Sequence, residues 1–358
     1  MNRNRLTCWF FPCVAILAFN AYPVAGLAWQ DPPTQQPQTA NEEKTLAPKP
    51  KLIVVIGAPG ADEFTKQFES WRDRWQELGA STDQFDMDLI YQDKNQLDAR
   101  TQFKQAIENA EGSESIWIIL MGHGTDDRKV SKFNLIGPDV SAVELKAWLA
   151  DFRQPVVLVN CASSSGAFVG KFKGSSGGQR KQVIMTATKS GAQQNFTRFG
   201  EYFSQAITDP DLDLDKDEQT SLLEAFIAAS QQAQDFYKQD KRLATELAIL
   251  DDNDDGLGTP GDWFTGTRVT KQAAEGSVDG KLASKMVLIR RGTTADWTAE
   301  QRAKRDDLET KIEALRGRKP TMPEDEYYRQ LKALMVELAS IYAKEAQKPS
   351  EPDKIIRK

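Results

Sequence analysis

The chain has one histidine, His123, and one cysteine beyond its first 13 residues, Cys161. Each stands where an apolar run breaks into small, turn-prone residues: "IILMGHGT" around the first, "VVLVNCASSSG" around the second. A thiol and an imidazole are the two halves of a nucleophile–base pair, because imidazole can take the thiol proton near neutral pH. Acyl transfer also needs donors for a tetrahedral oxygen. The backbone N–H of Gly124 and that of Cys161 could supply them, and the surrounding small residues would let a peptide approach closely. The same residues also read as a small apolar side chain at a strand end and a packed histidine. Zinc is the weaker functional rival: one histidine and one cysteine do not complete a tetrahedral site, and no ligand-like spacing accompanies them.

The elements that would position these groups follow from hydrophobic periodicity. "KLIVVIG" (51–57), "SIWIILMG" (115–122), "PVVLVN" (155–160) and "QVIMTAT" (182–188) are continuous apolar runs, with "MDLIYQ" (87–92) a shorter one. Such runs predict strands buried on both faces. Helical spacing joins Phe64, Phe68, Trp71 and Trp75, and recurs in 99–110 and in 141–152, where Ser141 and Glu144 predict a capping box. Strand–helix alternation of this kind implies a doubly wound α/β sheet, whose ligands bind beyond the carboxyl ends of the strands. His123 and Cys161 both follow their strands without a gap. "KFNLIG" (132–137) predicts a hairpin arm and "MVLIRR" (286–291) one further short strand.

An apolar strand ending in His-Gly, a hairpin, a helix, then an apolar strand ending in Cys resembles the caspase-like cysteine peptidases. "IILMGHGT" and "VVLVNCASSSG" look most like the legumain-type branch and its exported bacterial members. The resemblance spans about residues 50–245. It implies a caspase-like three-layer α/β sandwich with a mostly parallel central sheet. It also implies a cysteine endopeptidase cutting peptide or protein substrates, with Cys161 as nucleophile, His123 as general base and acid, and Gly124 and Cys161 as oxyanion donors. No cofactor is required for such catalysis. The loops after the first and fifth strands would shape the substrate pocket, through Asp62, Glu63, Lys189, Gln193, Gln194 and Arg198. Arg198 would pair an acidic side chain of the substrate, whereas Asp126 or Asp127 would favour a basic one. Two departures stand out. Ala162 follows the cysteine where legumains carry an acidic residue, and "GAPGADE" after the first strand lacks the asparagine that orients their histidine. A non-catalytic relative that keeps the fold as a binding module therefore stays open beside the peptidase.

The segment "DLDKDEQTSLLE" sets Asp213, Asp215, Asp217, Ser221 and Glu224 at positions 1, 3, 5, 9 and 12 of an EF-hand-type loop, with the Gln219 carbonyl at position 7. This oxygen set suits Ca²⁺. Glu218 stands where the loop ordinarily needs glycine, and Thr220 where it has an apolar residue. Carboxylates also favour a helix start without any ion. A second loop, "DDNDDGLGTPGD", offers Asp251, Asn253, Asp255, Gly256 and Asp262.

Residues 1–28 show the charged, apolar, small-residue order of a secretory signal, which predicts an exported protein. Losing Arg3 and Arg5 with it would take the formal net charge from −6 to −8. That balance opposes a nucleic-acid partner. No later run is apolar enough to span a membrane. One thiol would remain, so no intramolecular disulfide is expected. Residues 29–50 form a Pro/Gln-rich linker and 51–263 the peptidase-like domain with its acidic segment. Residues 264–296 read as a linker, 297–346 as a C-terminal α-helical hairpin suited to a protein partner, and 347–358 as a charged tail.

Overall fold

The computed structural model describes residues 48–346, apart from 92–97, 179 and 293–296, with side chains described through 343. The expected signal, most of the first linker and the charged tail lie outside these residues. The chain opens β1 (Lys51–Ile56), α1 (Asp62–Ser81), β2 (Asp86–Ile90), α2 (Ala99–Glu108) and β3 (Ile116–Met121). It continues through β4 (Gly124–Asp126), β5 (Ser131–Phe133), β6 (Val140–Ser141), α3 (Ala142–Trp148), β7 (Val156–Asn160), α4 (Ala167–Phe172) and β8 (Gln182–Thr186). Then come α5 (Phe199–Ala206), α6 (Leu222–Gln239), β9 (Ile249–Asp251), β10 (Thr259–Pro260), β11 (Phe264–Thr265) and β12 (Arg268–Val269). Helices α7 (Ala299–Arg318) and α8 (Glu324–Ala346) close the described chain.

The central sheet runs β10-β9-β8-β7-β3-β1-β2. The five strands from β2 to β8 are parallel, and β9 and β10 each pair antiparallel to the neighbour before them. This is a mostly parallel mixed α/β sheet, as the continuous apolar runs predict. The inner strands β1, β3, β7 and β8 are apolar along most of their length because helices cover both faces. Trp117, Ile119 and Met121 face one layer, with Phe68, Trp71 and Trp75 of α1, Phe203 of α5 and Phe226 of α6. Ile118 and Leu120 face the other, with Phe103 of α2, Leu145 of α3 and Phe168 of α4. Each large apolar side chain so buried contributes roughly 1.5–3 kcal/mol.

Local signals agree with these elements. Ser141 and Glu144 form both halves of the capping box on α3, and Ser221 and Glu224 do the same on α6. The "KFNLIG" arm is shorter than expected and belongs to a separate antiparallel sheet, β4-β5-β6. "MVLIRR" forms no strand. Its backbone groups are taken by other partners: the Met286 carbonyl accepts from Leu222 N–H, and Arg290 N–H donates to the Gln84 side chain. Within 264–296, Ala283 and Leu288 are buried in the first core layer. In α7 and α8, Leu308 and Ile341 pack together with Trp297, Leu334 and Leu338.

One buried acid in this region sets a pH dependence. Asp279 is 1% exposed; its carboxylate accepts from Asp252 N–H at 3.1 Å and from the Thr259 hydroxyl at 2.7 Å. Burial outweighs those bonds and raises its pKa to about 7. The folded state thus holds a proton that the unfolded chain has already lost, and stability falls as pH rises from about 4 to about 7. Asp279→Asn should make that slope shallower, leaving the share due to Asp215 and Asp251, as read from urea midpoints at pH 5 and pH 8; an unchanged slope would remove Asp279 as a source.

Candidate active site

Because the chain forms β1, then β2 on one side and β3 on the other, the sheet has its switch point between β1 and β3. His123 lies two residues past β3, at the carboxyl edge expected for a site in this fold. Its Nε2 lies 3.1 Å from the carbonyl of Pro59, which follows β1. Because a carbonyl can only accept, that bond puts a proton on Nε2. The ring stands edge-on to Phe64 at 4.9 Å between centroids, with Phe68 at 5.5 Å and Phe196 at 5.8 Å. Burial among these rings lowers the imidazole pKa, against the opposing pull of the Pro59 carbonyl. The imidazole is thus oriented by a backbone carbonyl, at a place in the chain where no asparagine follows the first strand.

Cys161 is differently placed from the sequence expectation. It is 1% exposed, and its side chain belongs to the core layer that holds Met121, Phe199 and Phe203. An ideal Cβ on Gly200 of α5 would lie 2.7 Å from Cys161 Cβ and 3.3 Å from its Sγ. The thiol is therefore roofed by helix backbone. Burial pushes its pKa far above the ordinary thiol value, and the Glu246 carboxylate adds to the rise. No hydrogen bond joins the thiol to the imidazole among the described residues. The glycine is required for this packing: Gly200→Ala should cost about 1–3 kcal/mol by overpacking, read as a lower urea midpoint with unchanged slope.

Both expected oxyanion donors are also engaged. The Cys161 N–H continues the sheet ladder to Leu120 O at 2.8 Å, and the Cys161 carbonyl accepts from the Thr197 hydroxyl at 2.5 Å. The Gly124 N–H donates to Ser163 Oγ at 3.1 Å, and the same hydroxyl donates to the Gly124 carbonyl at 3.1 Å. A Cβ on Gly124 would also lie 2.4 Å from the Ser163 carbonyl and 3.3 Å from the methyl of Ala162, so the site is closed on that side too. Thus the structure sets His123 and Cys161 at the ends of neighbouring strands but does not join them into a dyad with a free oxyanion hole.

Of the pocket candidates, Asp126 lines a cleft of about 410 Å³ with Gly124, Ser164 and Gln194. Its carboxylate accepts from the Ser131 hydroxyl at 2.7 Å. Gln193 braces the loops: its carbonyl accepts from Ser164 N–H, and its side chain from Lys189 N–H. Arg198 is not in this cleft; its guanidinium stacks on Phe196 and Phe236. Sequence reasoning missed Ser163 and the buried Glu246, whose carboxylate accepts from the N–H groups of Arg198 and Phe199 at the start of α5. It also missed Ser164, held at φ 56° with a buried hydroxyl that has no partner. The run of three serines was the available signal.

No family model matches the chain, and no curated protein matches it. Two solved structures show a distant likeness. The Drosophila initiator caspase Dronc is 13% identical, with a TM-score of 0.36, over 59% of this chain and 81% of that one. Chaetomium thermophilum Raptor is 12% identical, with a TM-score of 0.30, over 83% of this chain and 25% of that one.

The acidic segment brings Asp213, Asp215 and Glu224 together, each offering a carboxylate oxygen within 4.8 Å of the others. Asp213 accepts from the N–H groups of Lys216, Asp217 and Glu218, which curls the loop around it. Glu218 takes the left-handed turn ordinarily left to glycine, at φ 69°. Desolvation, and then the Asp217 and Glu224 carboxylates, raise the Asp215 pKa to about 7. Asp217 accepts from Gln219 N–H, while the Gln219 side chain bonds the backbone of Arg291. In the second loop, Asp251 accepts from Asp254 and Gly256 N–H groups, but Asp262 pairs with Lys271 at 2.6 Å rather than closing the loop.

Proposed function

We propose that the chain is an exported, non-catalytic caspase-like module that binds polypeptide without cutting it. The burial of the Cys161 thiol under α5 carries this reading. A nucleophile needs access and a depressed pKa, and this thiol has neither. The engaged Gly124 and Cys161 N–H groups support it further. The cleft beside Gly124, with the unpartnered Ser164 hydroxyl on its wall, is the surface we assign to an extended segment. Ca²⁺ held by Asp213, Asp215, Asp217, Glu224 and the Gln219 carbonyl would brace the start of α6. On the hairpin, exposed Tyr328, Met335 and Val336 of α8 offer a second protein-docking face.

The peptidase reading keeps one observation in its favour. His123 and Cys161 leave adjacent parallel strands at the same edge, with the imidazole oriented by the Pro59 carbonyl. It requires α5 to withdraw from Cys161. Labelling of the folded protein by peptidyl acyloxymethyl ketones separates the two. No adduct supports the module; an adduct at Cys161 that disappears in His123→Ala would establish the peptidase.

A further inference from the structure

At the opposite, amino-terminal edge of the sheet, a cavity of about 180 Å³ lies between the starts of β3, β7 and β8 and helix α7. Five of its lining side chains are cationic: Lys181, Lys285, Arg290, Arg302 and Arg305. Only Glu114 and Asp306 are anionic. An excess of three positive charges in one small cavity is unusual for a chain whose formal net charge is −6.

The internal pairing does not neutralise it. A single oxygen of Glu114, Oε1, accepts from both Arg290 at 2.5 Å and Arg302 at 3.0 Å. Arg305, 5% exposed, pairs with Asp306 at 2.9 Å and with Glu309 from outside the wall at 3.9 Å. Lys285 donates to two neutral oxygens, the Asp306 carbonyl and the Thr310 hydroxyl, and shares the Glu309 carboxylate's field with Arg305. Lys181 is exposed and forms no ion pair among the described residues. Burial lowers the Arg290 pKa, and Arg302 and Arg305 press it the same way against the pull of Glu114. Like charges held together at this cost fit a site that a multivalent anion would complete.

We infer that this cavity binds a small tetrahedral oxyanion of the phosphate class, held between Lys181, Arg290 and Arg302. The volume suits one such group. Because its walls come from both the sheet edge and α7, the bound anion would also clamp the helical hairpin to the core.

Isothermal titration of inorganic phosphate into the full chain, at ionic strength held constant with chloride, tests the inference. One saturable site is expected, with sulfate competing for it. Lys181→Glu reverses a charge on an exposed side chain and should weaken binding about tenfold. Glu114→Gln releases two guanidiniums and should tighten it. Absence of saturable binding, or a folded Lys181→Glu variant that binds phosphate like the parent, would overturn the proposal. Should Glu114→Gln fail to fold, Lys181→Glu alone decides.

Discussion

Iodoacetamide should leave Cys161 unmodified in the folded protein and modify it fully in denaturant. The magnitude follows from the route to the thiol. Reagent reaches Sγ only after α5 lifts from Gly200 and Cys161, an opening that draws on core packing. An opening free energy of about 4–5 kcal/mol slows modification by roughly 10³-fold or more relative to a model thiol. The raised thiol pKa removes the thiolate that would react, and so acts in the same direction. His123→Ala should change the rate little, because the imidazole does not contact the sulfur. Mass-resolved labelling over a denaturant series provides the measurement. A fast native rate that drops when His123 is removed would sink the non-catalytic reading.

Millimolar Ca²⁺ should raise the melting temperature by several degrees, and Asp213→Ala should abolish the rise. Ligand binding to the native state alone stabilises by RT ln(1 + [L]/Kd), about 2.7 kcal/mol at a hundredfold excess over Kd. The carboxylates of Asp213, Asp215 and Glu224 already converge, so little rearrangement is needed. Protons compete for the same oxygens, so the calcium-induced rise should be larger at pH 8 than at pH 5. Thermal scans at both pH values, with Mg²⁺ as control, test this. A calcium effect that survives Asp213→Ala would place the ion elsewhere; no effect at pH 8 would remove the site.

Much of the fold was legible because a sheet buried on both faces needs uninterrupted apolar runs. β1, β3, β7 and β8 are such runs, and their order with the intervening helices constrains the topology. His123 and Cys161 were likewise legible as residues just past strand ends. Which way each side chain points was not. Strand side chains alternate, so Cys161 shares a face with Val157 and Val159, and Ala162 with Leu158. In a sheet with one wet face, alternation would have marked Cys161 as an inward residue. Here both faces are apolar, and the pattern carries no such polarity. The roles of Ser163 and Glu246 depend on contacts 39 and 48 residues away in the chain, beyond any local period. "MVLIRR" misled for the converse reason: its composition suits a strand, but the capping needs of α6 and the Gln84 side chain take its backbone.

The seventh strand has a consequence for assembly. β10 is only Thr259 and Pro260, and a proline nitrogen has no hydrogen to donate. A second copy approaching this rim cannot add its own strands in register and continue the sheet through both molecules. Growth of the sheet into a shared dimer, or into a fibril, is therefore blocked at this end by two residues.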